Sequence, residues 1–139
     1  METNELSTTL KNVFDMTVFS HLLEMDEEED RKISSTALYG FIGSGEEEAD
    51  VMEYALSNQD FISLVSTSAS LQQRAVAMGF YKVHESCENI GRAGAIMCQP
   101  GRDAKAIELV CLSFIEKEIG ILNHYILYAR RAIDFFYMT

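Results

Sequence analysis

The sequence predicts an all-α protein, an antiparallel up-down-up-down four-helix bundle with short additional N-terminal helices. Three observations predict it. Pro100 is the only proline in 139 residues, so nothing else removes a backbone donor from a helix interior. Apolar residues recur at steps of three and four along most of the chain, the spacing that gathers them on one helical face. Period-two alternation bounded by Gly and Pro, the mark of half-buried strands, is missing.

Taken in order, residues 4–14 and 16–25 read as two short helices. Leu10, Val13 and Phe14 are the apolar positions of the first, and Val18, Phe19, Leu22 and Leu23 those of the second, with Asp15 or Thr17 as its cap. The acidic block Asp26 to Asp30 reads as a solvated turn suited to the N-terminus of the next helix. Residues 30–56 form a long amphipathic helix with Ile33, Ala37, Phe41, Ala49, Met52 and Leu56 as its apolar stripe. Ser57 to Asp60 breaks the pattern and supplies caps. Phe61, Leu64, Ser68, Leu71, Ala75 and Met78 then face inward on a helix over residues 58–78, which Gly79 ends in the left-handed conformation. Phe80, Val83, Cys87 and Ile90 mark a shorter helix over 80–93, and Gly91 to Asp103, with Gly94, Pro100 and Gly101, reads as a loop. In the final helix, near 104–137, Leu112, Ile115, Ile119, Leu122, Ile126, Ala129, Ile133 and Phe136 step by three and four without a miss. Residues 1–139 thus read as one domain, with the short helices and acidic turn in 1–29 and the bundle in 30–138.

Composition narrows function. Against 22 Asp and Glu stand 11 Lys and Arg, a net charge of −11, and no basic stripe is present to neutralise a phosphate backbone, so nucleic acid is excluded as a partner. No signal peptide or membrane span is visible, and the expected location is cytoplasmic, with a nuclear one open. Cys87, Cys98 and Cys111 lack Cys-x-x-Cys spacing and read as idle thiols; His21, His84 and His124 form no ligand pair. No metal, no cofactor and no enzymatic activity are expected.

Several segments resemble a known family. Phe19 to Ala37, FSHLLEMDEEEDRKISSTA, is similar to the opening of fungal histidine-containing phosphotransfer (HPt) proteins, in which Glu-Met-Asp and an acidic run precede the first bundle helix. Glu47 to Leu56, Met78 to Ile90 and Glu116 to Tyr137 follow the same pattern. The most specific parts are the Met25-Asp26 turn and the run Gly79-x-x-Lys82-Val83-x-x-x-Cys87-Glu88. The resemblance covers roughly residues 12–138.

The family's motif is usually His-x-x-Lys-Gly, followed by small residues and the Gly that ends the helix. Counting back from Gly79 puts Ala69 where the phosphoacceptor belongs, Gln72 where the lysine belongs and Gln73 where the glycine belongs. An active HPt attacks the aspartyl phosphate of a receiver domain with a neutral imidazole nitrogen. Alanine has no such atom. Gln72 lacks the lysine's charge, and Gln73 fills the space that glycine leaves open. Three departures favour natural divergence over a single engineered change. With Leu64, Ser68, Leu71 and Ala75 inward, residues 65, 69, 72, 73 and 76 share an adjoining face.

The resemblance implies an HPt-like protein of a multistep phosphorelay, unable to accept phosphate, whose partner is the receiver domain of a response regulator or hybrid histidine kinase. Carried over by position, the docking patch is Val18, Leu22, Met25, Ile33 and Ala37, with Val65, Ala69, Gln72 and Gln73 at its edge. Leu22 and Ile33 have packing over the bundle end as their other reading. His84, beside Glu85 and Glu88, reads as a solvated or salt-bridged surface histidine. The alternative function is a structural or adaptor module with a partner outside the phosphorelay, motivated by the bulk of Gln73.

Overall fold

The computed structural model describes residues 3–27, 30–99 and 104–138. Its helices are α1 (Thr3–Val13), α2 (Met16–Glu24), α3 (Lys32–Ser57), α4 (Phe61–Met78), α5 (Tyr81–Cys98) and α6 (Ala104–Met138), and no strand forms among the described residues. Local punctuation is as the sequence spells it. The Asp15 carboxylate accepts the Thr17 N–H at 2.9 Å to start α2, and Asp60 accepts the Ser63 N–H at 3.1 Å to start α4.

The bundle is a ring of antiparallel neighbours: α3 with α4, α4 with α5, α5 with α6, and α6 back to α3. Side-chain pairs give the directions. Glu46 bonds Arg130 while Glu53 accepts from Asn123, so α3 and α6 run opposite ways. Gly91 faces Ser68 and Gly94 faces Val65, so α4 and α5 do too. Leu38, Ile42, Met52, Leu64, Leu71, Ile90, Ile115, Leu122 and Ile133 are fully buried between the four, each contributing about 1.5–3 kcal/mol by leaving water. The stripe expected along α6 is the one observed, with Leu112 and Phe136 half-buried at its ends.

Helices α1 and α2 close one end. Phe14 stacks on Phe19 at 5.0 Å and meets Phe80 edge-on at 4.6 Å, Phe41 lies 4.4 Å from Phe80, and Phe19 packs on Phe136 at 5.2 Å. This aromatic cluster draws on the residue after α1, on α2 and α3, on the residue before α5, and on α6.

Two expectations are corrected. Residues 91–98 are helical, since α5 continues to Cys98; the remainder of the expected loop, Pro100 to Asp103, lies outside the described residues. Gly91 and Gly94 serve close packing here. A Cβ on Gly94 would stand 2.9 Å from Val65 Cγ2, and one on Gly91 would stand 3.3 Å from Ser68 Oγ. At the start of α3 the buried residues are Ser34 and Leu38, whereas Ile33 is exposed and Ala37 half-buried. The Ser34 hydroxyl can be buried because Asp26 and Tyr137 satisfy it.

Candidate functional site

The register of α4 is fixed at both ends by its own sequence. Asp60 caps the start; at the other end Gly79 takes φ +81°, its N–H bonding Val76 O and the Phe80 N–H bonding Ala75 O. With Leu64, Ser68, Leu71 and Ala75 inward, Ala69 and Gln73 are exposed and Gln72 half-exposed. These three line a shallow groove of about 370 Å³ with Val76 and His84. Val65, expected on the same face, instead turns toward Gly94 in the α4–α5 seam.

His84 is paired, as the sequence leads one to expect, and the structure adds its location: antiparallel packing about the Gly79 turn brings residue 84 back beside Val76 and into the groove that Ala69 lines. The pairing of Gly91 with Ser68 across the same turn puts residue 84 opposite residues 75 and 76. Its Nε2 lies 3.5 Å from Glu88 Oε2, as expected of a paired histidine, while Nδ1 is buried without a hydrogen-bond partner. His21 and His124 are exposed elsewhere, on α2 and α6.

The charges around the groove are already matched. Arg74, the one charged residue of α4, bonds Ser44 at 2.5 Å and Glu48. Arg92 bonds Glu88, and Lys82 sits 3.7 Å from Glu85 and over the Tyr81 and Tyr125 rings. Among the described residues no Lys or Arg lines the groove. Burial pushes the Cys87 thiol up to about 12, aided by the Glu48 charge, so it holds no thiolate. Among the described residues no cluster of His, Cys, Asp or Glu could hold a metal ion, and no helix is long and apolar enough to cross a membrane.

Of the residues carried over from α2 and α3, none lines this groove. Val18 is half-buried against Gly79, and the Asp15 N–H donates to Gly79 O at 2.7 Å, fastening α2 to the end of α4. Met25 and Ile33 are 59% and 49% exposed, whereas Leu22 is only 9% exposed and belongs to the core. Between two alternatives for Leu22, docking or packing, the structure selects packing. The Met25-Asp26 turn is held by Asp26, whose carboxylate accepts the Ser34 N–H at 2.7 Å and its hydroxyl at 2.5 Å. Those bonds from Ser34 hold the Asp26 carboxyl below the usual aspartate range.

This arrangement has counterparts among solved structures. Two crystal structures of yeast Ypd1, one titled as the yeast phosphorelay protein, superpose with a TM-score of 0.76 over 91% of this chain and 95–96% of theirs, at 17% identity. The fold is that of Ypd1. In sequence, the chain is 26% identical over 127 residues to Multistep phosphorelay regulator 1 of Schizosaccharomyces pombe, covering 91% of this chain and 43% of that protein. It therefore spans less than half the length of that relative. No model of a known protein family matches the chain.

Proposed function

We propose that this chain is an HPt-like protein of a multistep phosphorelay that cannot accept phosphate and acts by binding receiver domains of response regulators or hybrid histidine kinases. The similarity to a phosphorelay regulator and the Ypd1 fold support the first half. The observation that carries the second is Ala69, an exposed methyl side chain on α4 where the motif requires a nucleophilic ring. Phosphoryl transfer from an aspartyl phosphate needs a nitrogen lone pair at the phosphorus, and Ala69, Gln72 and Gln73 offer none. His84 does not replace it. Its Nδ1 is enclosed, and a phosphoryl group approaching Nε2 would bring its oxygens against the Glu88 carboxylate.

The surface left for docking is the groove together with the exposed apolar side chains Met25 and Ile33 and the half-buried Val18 and Ala37. Bound there, a receiver is withheld from active HPt proteins. The test is incubation with a phosphorylated receiver, followed by a binding measurement with the same receiver. The expected result is complex formation with no phosphate on this protein. Acid-labile label on any histidine overturns the silent role; absence of binding across a panel of receivers overturns the docking role and leaves an adaptor outside the phosphorelay.

A further inference from the structure

The groove beside Ala69 is uncharged where an incoming phosphoryl group would have to be met. Its lining is a methyl group, two carboxamides, the exposed Val76 and His84. Each nearby cation is engaged elsewhere, Arg74 with Glu48 on α3, Arg92 with Glu88, and Lys82 with Glu85. Glu88 lies between His84, at 3.5 Å, and Arg92, so with a neutral imidazole these three groups bring no net positive charge. The ionised groups that flank it on α5 are two matched pairs, Lys82 with Glu85 and Arg92 with Glu88. We propose that this groove discriminates receivers by their phosphorylation state, holding the free aspartate form and disfavouring the aspartyl phosphate.

The inference rests on the receiver-binding reading and adds its regulation. Phosphorylation of a receiver aspartate replaces a monoanion by a dianion and adds oxygens that need donors. Gln72 and Gln73 can each donate through a carboxamide N–H, but neither supplies the charge that would offset the extra negative charge in a partly desolvated interface. An added negative charge that no cation of the groove matches weakens association. A silent protein of this kind would then withhold idle receivers and release them once they are charged.

The experiment measures the dissociation constant for one receiver domain in Mg²⁺, with and without beryllofluoride, which occupies the aspartate as a stable phosphoryl mimic. The dissociation constant is expected to rise about fivefold or more with beryllofluoride, the scale of one unmatched charge at a partly screened interface. Gln72→Lys is expected to abolish or invert the ratio, because it places a cation on the groove wall. Equal or tighter binding of the mimic by the unaltered protein overturns the proposal, as does a ratio that Gln72→Lys leaves unchanged. Failure to bind in either form overturns the receiver reading itself, and this inference with it.

Discussion

Val18 and Gly79 meet with no room for a side chain between them: a Cβ on residue 79 would stand 2.9 Å from Val18 Cβ, at a backbone φ of +81°. Gly79→Ala therefore incurs two costs. The left-handed backbone costs an L-residue about 1–2 kcal/mol, and the clash about 1–3 kcal/mol more. Urea unfolding should show the sum. Adding Val18→Gly, which removes that Cβ, should recover the part due to the clash when compared with Val18→Gly alone and leave the part due to φ, so a full rescue would contradict the backbone argument.

Gly94 sets two effects against each other. Alanine in a helix interior is favoured over glycine by about 1 kcal/mol, but here its Cβ would lie 2.9 Å from Val65 Cγ2, and a β-branched side chain within a helix has little χ1 freedom to withdraw. Overpacking of about 1–3 kcal/mol should win. Gly94→Ala is expected to lower the unfolding midpoint, and Val65→Ala in the same chain to relieve the loss.

Asp26 gives stability a pH dependence of known sign. Ser34 holds its folded pKa below the ordinary aspartate value, so the contribution is fully present above the unfolded value and is lost as pH falls through the folded one. Chemical unfolding followed from pH 7 down to pH 2 should show this loss at the acid end. In Asp26→Asn that portion of the acid limb should vanish; an unchanged limb would assign the acid sensitivity to other carboxylates.

Exposure separates docking residues from packing residues. Met25→Asp and Ile33→Asp are expected to weaken receiver binding severalfold while leaving the unfolding midpoint within about 0.5 kcal/mol of the original, because both side chains already face solvent. Leu22→Asp should instead destabilise by about 3 kcal/mol or more, since it buries an unpaired carboxylate in the hydrophobic core. Calorimetric titration and urea denaturation of the same three variants would distinguish these classes.

Ala69→His, Gln72→Lys and Gln73→Gly together should confer phosphoryl acceptance from a phosphorylated receiver. Gln73→Gly weakens α4 by about 0.5–1 kcal/mol, which the buried face of Leu64, Leu71 and Ala75 can absorb. Ala69→His alone should be labelled more slowly than the triple variant, because it lacks both the cation and the clearance. A folded triple variant that binds the receiver yet takes no label would show that the groove no longer aligns the two centres.

The sequence was most legible where one face stays uninterrupted. Ile115, Ile119, Leu122, Ile126, Ala129 and Ile133 are buried in the register their spacing requires, because a long helix with one apolar stripe has a single way to face a core. The end of α5 was misread because glycine both breaks helices and permits close approach, and only the proximity of Val65 and Ser68 shows which use Gly91 and Gly94 serve. Leu22 was undecidable for a similar reason. Its burial depends on how α2 is laid over one end of the bundle, where its neighbour Phe19 meets Phe136 from the other end of the sequence. At the candidate site, the exposure of Ala69 followed from periodicity, whereas the arrival of His84 depended on a neighbouring helix and on the sense in which it runs.

The start of α3 is tied to the far end of the chain. Arg31 donates to Phe136 O at 3.0 Å and lies over the Phe136 and Tyr137 rings, and the Tyr137 hydroxyl reaches Ser34 at 2.5 Å. Loosening the last turn of α6 would therefore be felt first around Met25 and Ile33, a hundred residues upstream in sequence. The start of α3 and the last turn of α6 act as one clasp, and whatever grips one of them also sets how firmly the other presents its apolar side chains.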